Sequence, residues 1–361
     1  MPRNSPSDAR RGRRAAQEGA RPSVQDVAKL AGVAVGTVSN VLNNPDRVTE
    51  FTRRKVEAAI AELGFVRNFA ARTLVAGTTN TVGLVLVDIG NSLFVDIARG
   101  AEAATAASGL KLLLANSDVD QAKQDAYLEL FDQAQTAGLL LAPLDGPLDA
   151  ARAIARRGRP IVVVNAPAAD PDMCCVAVDE QLGGYLAAHH LIAQGARRLA
   201  FVGGPLHLHA IRDRLDGARQ AATEASLDLT VIETHALNVR DGRTAGGNLL
   251  RQSRRVDGIV CASDPLAVGV INAAAERGVG VPDDLVVVGY DNNHLASESL
   301  IPISTIAQPG LRMGEVATQL LLEETQNDPD HRHQTVVLEP HLIARRSSQR
   351  RRPTTNRLRT P

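Results

Sequence analysis

The chain reads SVQDVAKLAGVAVGTVSNVLN at residues 23–43, and this stretch predicts two short helices joined by a tight turn. Ser23 is suited to cap the first helix, and Asp26 suits its positive end. Gly32 is expected to end that helix, because glycine adopts the left-handed conformation most easily. A second helix is expected from about Val35 to Leu42. This pattern predicts a helix-turn-helix, whose second helix enters the major groove of DNA.

The apolar residues of the first helix predict its buried face. Val27, Leu30 and Ala31 recur at helical spacing and are expected to face a small core. A third helix is expected from about residue 49 or 50 to Leu63, ended by Gly64. The alternative is that these are ordinary amphipathic helices of a larger core, but pattern, turn and position together favour a DNA-binding segment.

The amino-terminal stretch resembles the headpiece of the lactose-repressor/galactose-repressor (LacI/GalR) family of bacterial transcription regulators. The resemblance covers nearly the whole chain, to about Ala344. It implies a helical headpiece followed by a two-lobed body like that of periplasmic sugar-binding proteins, with a ligand cleft between the lobes. It rests on the runs DVA at 26–28, AGV at 31–33, TVS at 37–39, VLN at 41–43 and TRRKVEAAIAELGF at 52–65.

From Thr81 onward apolar strands alternate with helices, which predicts an α/β body with two parallel sheets. Helices are expected at about 92–108 and 182–194. The predicted strands are Val82–Val87, Lys111–Asn116, Gly138–Ala142, Ile161–Asn165, Val176–Val178, Leu199–Gly203, Val231–Thr234, Gly258–Ala262 and Leu285–Tyr290.

These patterns and the resemblance divide the chain into segments. We expect two lobes joined by three crossings; the lobe boundaries follow from the resemblance alone. The segments are a disordered basic arm (1–21), a DNA-binding headpiece (22–66), a hinge helix and linker (67–79), a body (80–344, with an N-lobe of about 80–178 and 308–336 and a C-lobe of about 179–306 and 337–344) and a solvated basic tail (345–361).

The net charge of zero conceals an uneven distribution of charged residues. Residues 1–80 carry 13 Lys and Arg against 7 Asp and Glu, and residues 345–361 carry 7 Arg and no acidic residue. The residues between them therefore carry a net charge of −13. A basic amino-terminal segment on an acidic body favours a protein that contacts phosphate at one end only.

The cysteines and the hydropathy indicate a compartment. Cys174 and Cys175 are adjacent and Cys261 is distant, so no disulfide framework is expected and a reducing environment fits. No apolar run reaches the roughly 18 residues that span a bilayer. The basic amino terminus lacks the apolar stretch of a signal peptide. We therefore expect a cytoplasmic, nucleoid-associated protein without membrane contact.

The resemblance implies that operator bases are read from the second helix, at Val35, Gly36 and Asn40. Asn40 can bond an adenine in bidentate fashion; the alternative is an exposed helix asparagine without a contact. Gly36 either permits close approach or contributes nothing. Thr37 and Ser39 suit phosphate contacts, which position the protein without specifying sequence.

A short helix is predicted at residues 67–74, and the resemblance implies its role. Leu74 matches a leucine that family members push into the minor groove at the operator centre, where a pyrimidine–purine step kinks most easily. Ala71 is small enough for two such helices to pack closely. We therefore expect a homodimer on a near-palindromic operator with a central CG step. An ordinary linker helix with a core leucine is the alternative.

The effector cleft is expected at the carboxyl ends of the strands, where open α/β sheets bind ligands. By resemblance, the planar guanidinium of Arg214 grips ligand oxygens, and Asp291 accepts from ligand hydroxyls or amines. The alternatives are a surface salt bridge for Arg214 and helix capping for Asp291.

Further cleft positions are taken from the same resemblance: Asn91 and Phe94 from a loop of the N-lobe, Asn165 where relatives often have aspartate, and Ser263 where many have asparagine. The last two departures lower the negative charge and bonding capacity of the cleft, so the resemblance does not transfer a specific ligand.

The effector is expected to be a small sugar or polyol held mainly by hydrogen bonds. The chain has no Trp, and only Phe94 and Tyr290 are expected to offer a ring for stacking. Purines and other metabolites, which the family also binds, are the alternatives. Asp264 precedes Pro265 and is expected to cap a helix rather than to contact the effector.

The sequence indicates neither a metal site nor catalytic chemistry. The histidine groups at 189–190, 207–209 and 331–333 have no Cys or carboxylate set at ligand spacing, so no metal and no cofactor is expected; His209 is instead expected beside the cleft. A phosphate-binding loop and a dinucleotide fingerprint are both missing, and no enzymatic activity is expected. The carboxyl terminus has no leucine heptads for a tetramer.

Together these features predict a homodimeric DNA-binding regulator, interpreted as a repressor under the control of a small-molecule effector. The effector would shift the lobes and change whether the hinge helices stay paired; inducer and corepressor both fit. A solute-binding protein for transport or chemotaxis is one alternative, and a sugar-modifying enzyme is a second.

Overall fold

The computed structural model describes residues 22–66, 79–166, 172–251, 256–326 and 331–350. It divides the chain into two compact units, Met1–Gly77 and Thr78–Pro361, which we call the headpiece and the body. The predicted basic arm lies outside the described residues. So does the predicted hinge helix, with Ala71 and Leu74.

The described headpiece is helical, as predicted. Ser23 and Asp26 form a capping box: the Ser23 hydroxyl accepts from the Asp26 N–H at 3.3 Å, and the Asp26 carboxylate accepts from the Ser23 N–H at 2.8 Å. Gly32 and Gly64 end two helices with φ near +60°. The elements are α1 (Val24–Ala31), α2 (Val35–Asn43), a 3-10 turn (Pro45–Arg47) and α3 (Glu50–Leu63).

A small apolar core joins the three helices. Leu30 was predicted to face this core, but the prediction was wrong, because Leu30 is 43% exposed. The buried face of α1 instead runs through positions 24, 27, 28 and 31, which share one side of a helix at i, i+3, i+4 and i+7. The buried core residues are Val27, Ala28, Ala31, Val38, Val41, Val56, Ala59 and Phe65.

Ala34 occupies the N-cap of α2 and makes no capping hydrogen bond through its side chain. Its φ of −70° and ψ of 151° are the extended geometry that capping serines adopt. We expect Ala34→Ser to stabilise the headpiece by about 1 kcal/mol, because the hydroxyl would accept from a backbone N–H of the first turn. Slower hydrogen exchange of the α2 amides in the full-length protein measures this. Ala34→Val is the control, and equal exchange in the two variants would contradict the expectation.

The body has two lobes, each with a six-stranded sheet in the described residues. The N-lobe contains β1 (Thr81–Leu86), α4 (Ser92–Ala107), β2 (Lys111–Asn116), α5 (Gln121–Gln133), β3 (Gly138–Leu141), α6 (Asp149–Arg156), β4 (Ile161–Val164), β5 (Cys174–Val178), α12 (Gly310–Thr325) and β11 (Thr335–Leu338). The C-lobe contains α7 (Glu180–Ala193), β6 (Leu199–Gly203), α8 (His209–Glu224), β7 (Leu229–Glu233), α9 (Val239–Leu249), β8 (Gly258–Cys261), α10 (Asp264–Ala275), β9 (Val286–Tyr290), α11 (His294–Glu298), β10 (Ser304–Ala307), β12 (His341–Ile343) and a 3-10 turn (Arg346–Ser348).

The two sheets have equivalent strand orders, β11-β5-β4-β3-β1-β2 in the N-lobe and β12-β10-β9-β8-β6-β7 in the C-lobe. All paired strands are parallel except β12, which runs antiparallel to β10. Central strands are apolar on both faces because helices cover both sides. In β1, for example, Leu84 packs into one core cluster and Val85 into another.

The chain crosses between the lobes after β5, after β10 and after β11. The carboxyl ends of β5 and β9 lie beside these crossings. Val337 and Leu338 pair with β5 in the N-lobe, although the predicted boundary of that lobe was residue 336. None of the described helices has the length and apolarity needed to cross a bilayer.

The prediction of a solvated tail from residue 345 was wrong for residues 345–350. Ser347 and Ser348 are fully buried on the C-lobe. The Ser347 hydroxyl donates to the Val287 carbonyl at 2.6 Å, and the Ser348 hydroxyl lies 2.6 Å from that of Ser304. Arg345 donates to the Asn292 side chain at 2.7 Å. Residues 351–361 lie outside the described residues.

Candidate functional site

The helix α2 presents the predicted DNA-reading residues on its outer side. Val35 is 47% exposed, and Gly36, Ser39 and Asn40 are exposed as well, whereas Thr37 is half-buried. The opposite side of the helix is buried through Val38 and Val41. A Cβ atom at position 36 would meet no other atom within 4 Å. The buried side therefore fixes the helix to the headpiece and leaves the other side exposed.

Arg214, on α8, is a buried cation rather than part of a surface salt bridge. It is 5% exposed, and its Nε and Nη2 each donate to a Glu180 carboxylate oxygen at 2.8 Å. Its Nη1 donates to the Ala262 carbonyl at 2.7 Å. Burial disfavours the charge, but the carboxylates of Glu180 and Asp291 outweigh it and raise the pKa of Arg214. The guanidinium is thus a fixed positive charge.

The carboxylate of Asp291 contacts side chains from both lobes and from one of the crossings between them. It follows β9 with a φ of 90°, a strained conformation for a residue other than glycine and one that clusters at functional sites. Its Oδ1 accepts from Gln308 at 2.7 Å and lies 3.5 Å from Arg214 Nη2. Its Oδ2 accepts from Asn91 of the N-lobe at 3.2 Å. Helix capping is not its role here, because Asn293 caps α11.

Sequence reasoning missed Glu180 and Gln308, which complete this network. Glu180 directly follows the first crossing, and Gln308 lies on the second, between β10 and α12. Both residues lie where the chain crosses from one lobe to the other. A polar residue at a predicted crossing could therefore have indicated them from the sequence. The Oε1 atom of Gln308 is buried and has no hydrogen-bond partner in the described structure.

Tyr290 does not offer a stacking surface to a ligand, so that prediction was wrong. The ring is fully buried and lies under the Arg214 guanidinium, 3.7 Å from atom Cζ to the ring centroid. Burial raises the pKa of Tyr290 well above its ordinary value. Phe94 is 9% exposed and packs into the core of the N-lobe. The Tyr290 ring thus packs against the guanidinium of Arg214 and is not available to a ligand.

Asp264 was predicted to cap a helix, and this was wrong. Ser263 is the N-cap of α10, and its hydroxyl accepts from the Leu266 N–H at 3.4 Å. Asp264 is fully buried and accepts from the Asn293 N–H at 2.8 Å. Burial raises the pKa of Asp264 well above its ordinary value. The Ser263 hydroxyl, which was predicted to contact the effector, therefore also accepts a hydrogen bond at the start of α10.

The remaining predicted residues lie at the facing edges of the lobes. Asn91 caps α4 through its Oδ1 and reaches Asp291 through its Nδ2. Asn165 follows β4, is half-buried and has a φ of 60°. His209 begins α8, and its backbone N–H and Nδ1 lie 2.6 and 2.5 Å from the carboxylate of Asp145 in the N-lobe. His209 therefore links the two lobes through Asp145, and its place beside an effector stays a prediction.

Comparison with known proteins decides the family. A model described as bacterial regulatory proteins of the lacI family matches residues 23–68, and a periplasmic binding protein-like domain matches residues 188–348. The ribose operon repressor of Bacillus subtilis (strain 168) is 34% identical over 307 residues, which cover 85% of this chain and 93% of that protein. This chain belongs to the lacI family. The predicted family and the predicted class, a transcription regulator and not an enzyme, are thereby confirmed.

Solved structures resemble this lacI-family protein along most of its length. The cellobiose complex of the transcriptional regulator CelR is 30% identical with a TM-score of 0.66, over 91% of this chain and all of that one. The lac repressor dimer bound to operator and an anti-inducer is 24% identical with a TM-score of 0.80, over 91% of this chain and 99% of that one. The second likeness is one of fold.

One cluster of this lacI-family protein contradicts the sequence argument against metal ligands. His331 and His333 do meet a cysteine and a carboxylate, because Cys174 of β5 and Glu324 of α12 lie beside them. The four ligand atoms all lie within 4.8 Å of one another. Burial raises the pKa of the Cys174 thiol to about 12. Sequence spacing missed this set because Cys174 is distant from the histidines along the chain.

Proposed function

We propose that this lacI-family protein is a homodimeric repressor that binds a near-palindromic operator and responds to a small sugar or polyol between its lobes. The observation that carries the proposal is the outer side of α2, where Val35, Gly36 and Asn40 are exposed while Val38 anchors the helix. The protein acts on chromosomal DNA and therefore in the cytoplasm. Residues 22–66 serve as the DNA-binding segment and the body as the effector-binding and dimerising one.

The operator contacts divide into reading and positioning. Asn40 bonds an adenine and Val35 packs on a thymine methyl, while Thr37 and Ser39 contact phosphates. We further propose that Ala71 and Leu74 belong to paired hinge helices that kink a central CG step. Operator binding by Leu74→Ala as tight as by the wild type would contradict the hinge proposal and leave the headpiece proposal intact.

Asn40→Ala is expected to weaken operator binding by roughly 5- to 150-fold, which corresponds to about 1–3 kcal/mol for a bidentate base contact. The loss should be confined to operators with an adenine at the contacted position, which competition between base-substituted operators measures. The control is Asn272→Ala, an exposed helix asparagine of the C-lobe. An equal loss on all sequences would reassign Asn40 to a phosphate contact.

Selection of genomic fragments by the purified full-length protein, followed by sequencing, tests the proposal as a whole. Enrichment of a short palindrome with a central CG step is expected. The selection is repeated with metabolite pools, because a corepressor-dependent protein binds only in their presence. No enrichment under either condition would overturn the proposal.

The effector proposal rests on the network around Asp291. Donors from both lobes and a crossing converge on its carboxylate, which suits the hydroxyls of a sugar. The proteins similar to this chain include a ribose operon repressor and a transcriptional regulator in complex with cellobiose. A sugar hydroxyl that takes the place of Asn91 at Asp291 would change how the lobes are joined. A small ligand could thereby favour one arrangement of the lobes.

Asp291→Asn is expected to weaken effector binding by roughly 10- to 150-fold, because hydrogen bonds to a charged group contribute about 1.5–3 kcal/mol. Operator binding without effector should remain. Release of labelled operator by candidate sugars, taken from genes beside the selected palindromes, measures the effect. Asp283→Asn, an exposed aspartate, is the control. Equal sensitivity of both variants would exclude Asp291 from the effector site.

A further inference from the structure

Four side chains of the N-lobe converge away from the effector cleft. Cys174 is the first residue of β5, Glu324 lies in the last turn of α12, and His331 and His333 precede β11. Because β5 and β11 are parallel, this set lies at the amino ends of the strands. The cleft lies at the carboxyl ends. We call the set the amino-edge cluster.

The distances within the amino-edge cluster fit a shared metal ion. Cys174 Sγ lies 3.5 Å from His331 Nε2 and 3.8 Å from His333 Nδ1. Glu324 Oε1 lies 3.5 and 3.6 Å from the same two nitrogens. A tetrahedral zinc ion with bonds of about 2.0–2.3 Å separates its ligand atoms by about 3.3–3.6 Å. The nitrogen–oxygen separations are too long for good hydrogen bonds but suit two ligands of one ion.

Burial gives a second argument for an ion. The Glu324 side chain is 8% exposed, and the neighbours of its buried Oε1 are the Cys174 thiol and the two imidazole nitrogens, which lie 3.5 and 3.6 Å away. A buried carboxylate oxygen with such long contacts to its donors costs free energy, and a bound cation removes that cost. One carboxylate and one thiolate also neutralise a divalent ion, while two neutral imidazoles complete four ligands.

We propose that the amino-edge cluster binds one Zn²⁺ ion through Cys174, Glu324, His331 and His333. All four positions of a tetrahedral ion are filled by protein, which is the pattern of structural rather than catalytic zinc sites. Thiolate and imidazole select zinc over magnesium or calcium, which prefer oxygen. The backbone N–H of Gln334 donates a hydrogen bond to the sulfur, and hydrogen bonds of this kind orient the ligands of zinc sites.

The ion would join three chain segments at the edge of the N-lobe sheet. Strand β11 is a four-residue edge strand with alternate side chains exposed, so its packing is weak. Zinc would link the segment that leads into β11 to α12 and to β5. The ion would therefore stabilise the body without contacting the effector residues, and the site is independent of the proposed repressor function.

The test uses full-length protein purified without a histidine tag and freed of metal by a chelator. One equivalent of Zn²⁺ is expected to bind, measured by competition with a chromophoric chelator. Co²⁺ is expected to give the visible bands of a tetrahedral site and a thiolate charge-transfer band in the near ultraviolet. Saturating zinc should raise the Tm by on the order of 10 °C if it reaches a thousandfold excess over Kd.

Variants assign the ligands. The side chains of His331 and His333 are 15% and 34% exposed, so His331→Ala and His333→Ala should fold. Each variant should nevertheless lose the tetrahedral Co²⁺ spectrum and most of the Tm rise. Cys174→Ser should lose the charge-transfer band alone or together with the ion. His341→Ala, an exposed histidine of β12, should still bind one equivalent.

Three results would overturn the proposal. They are less than about 0.1 equivalent of zinc bound at micromolar metal, an octahedral Co²⁺ spectrum without a charge-transfer band, and unchanged binding in both His331→Ala and His333→Ala. Circular dichroism of each variant confirms that a loss of metal does not reflect a loss of fold.

Discussion

Replacing Arg214 with methionine is expected to lower the free energy of unfolding of the body by about 3–5 kcal/mol. The cation is buried between the carboxylates of Glu180 and Asp291. Methionine fills much of the aliphatic volume but leaves both acidic groups without a counter-charge. Urea unfolding followed by circular dichroism measures the change, and the effector response should be lost in the same variant.

Arg243 provides the matched control. Its guanidinium lies 2.7 Å from the Glu276 carboxylate, but both side chains are exposed. Arg243→Met should therefore change the stability by less than about 1 kcal/mol, as exposed ion pairs do. Equal losses in the two variants would show that burial of Arg214 does not determine its contribution.

Gly217→Ala is expected to destabilise the C-lobe by at least about 3 kcal/mol, because an added methyl group would force two backbones apart. A Cβ at Gly217 of α8 would lie 1.8 Å from the Gln181 carbonyl oxygen of α7. In the same way, a Cβ added at Gly184 of α7 would lie 1.9 Å from the Arg214 carbonyl oxygen of α8. Separation of the helices would displace Arg214 from Glu180, so weaker effector binding should accompany the loss of stability.

The same substitution at Gly36 should have the opposite sign. Gly36 is a helical glycine with no atom near its missing Cβ, so Gly36→Ala should stabilise the headpiece by about 0.5–1 kcal/mol. Thermal unfolding of the full-length variants, with amide exchange to separate headpiece from body, gives both values. Stabilisation by both substitutions would refute the backbone contact between α7 and α8.

Local signals predicted the headpiece well. Ser23, Gly32 and Gly64 act on residues within one helical turn, so the sequence contains all the information needed to place the helix ends. Leu30 was misplaced because spacing alone does not say which side of an apolar face lies against the neighbouring helices. The long apolar strands of the body were predictable for a similar reason, since each is buried on both faces.

The strands β10, β11 and β12 were not predicted. Each has three or four residues with polar side chains among them, and each owes its place to pairing with a distant strand. Cys175, for example, pairs with Thr335. The family resemblance pointed to Arg214 and Asp291. It did not point to their partners Glu180 and Gln308, because these meet Arg214 and Asp291 only where the folded chain crosses between the lobes. The amino-edge cluster was missed for the same reason, because its ligands meet only in the folded N-lobe.

The late return of the chain to each sheet has a consequence for synthesis on the ribosome. Strand β5 is synthesised well before its partner β11. Strand β10 is likewise synthesised before its partner β12 and before the serines at 347 and 348. At 5–20 residues per second, the edge of β5 stays open for on the order of ten seconds while the C-lobe is translated. The N-lobe sheet therefore stays incomplete throughout the translation of the C-lobe, and chaperones that cover open strand edges should increase the share of the nascent protein that reaches the native state.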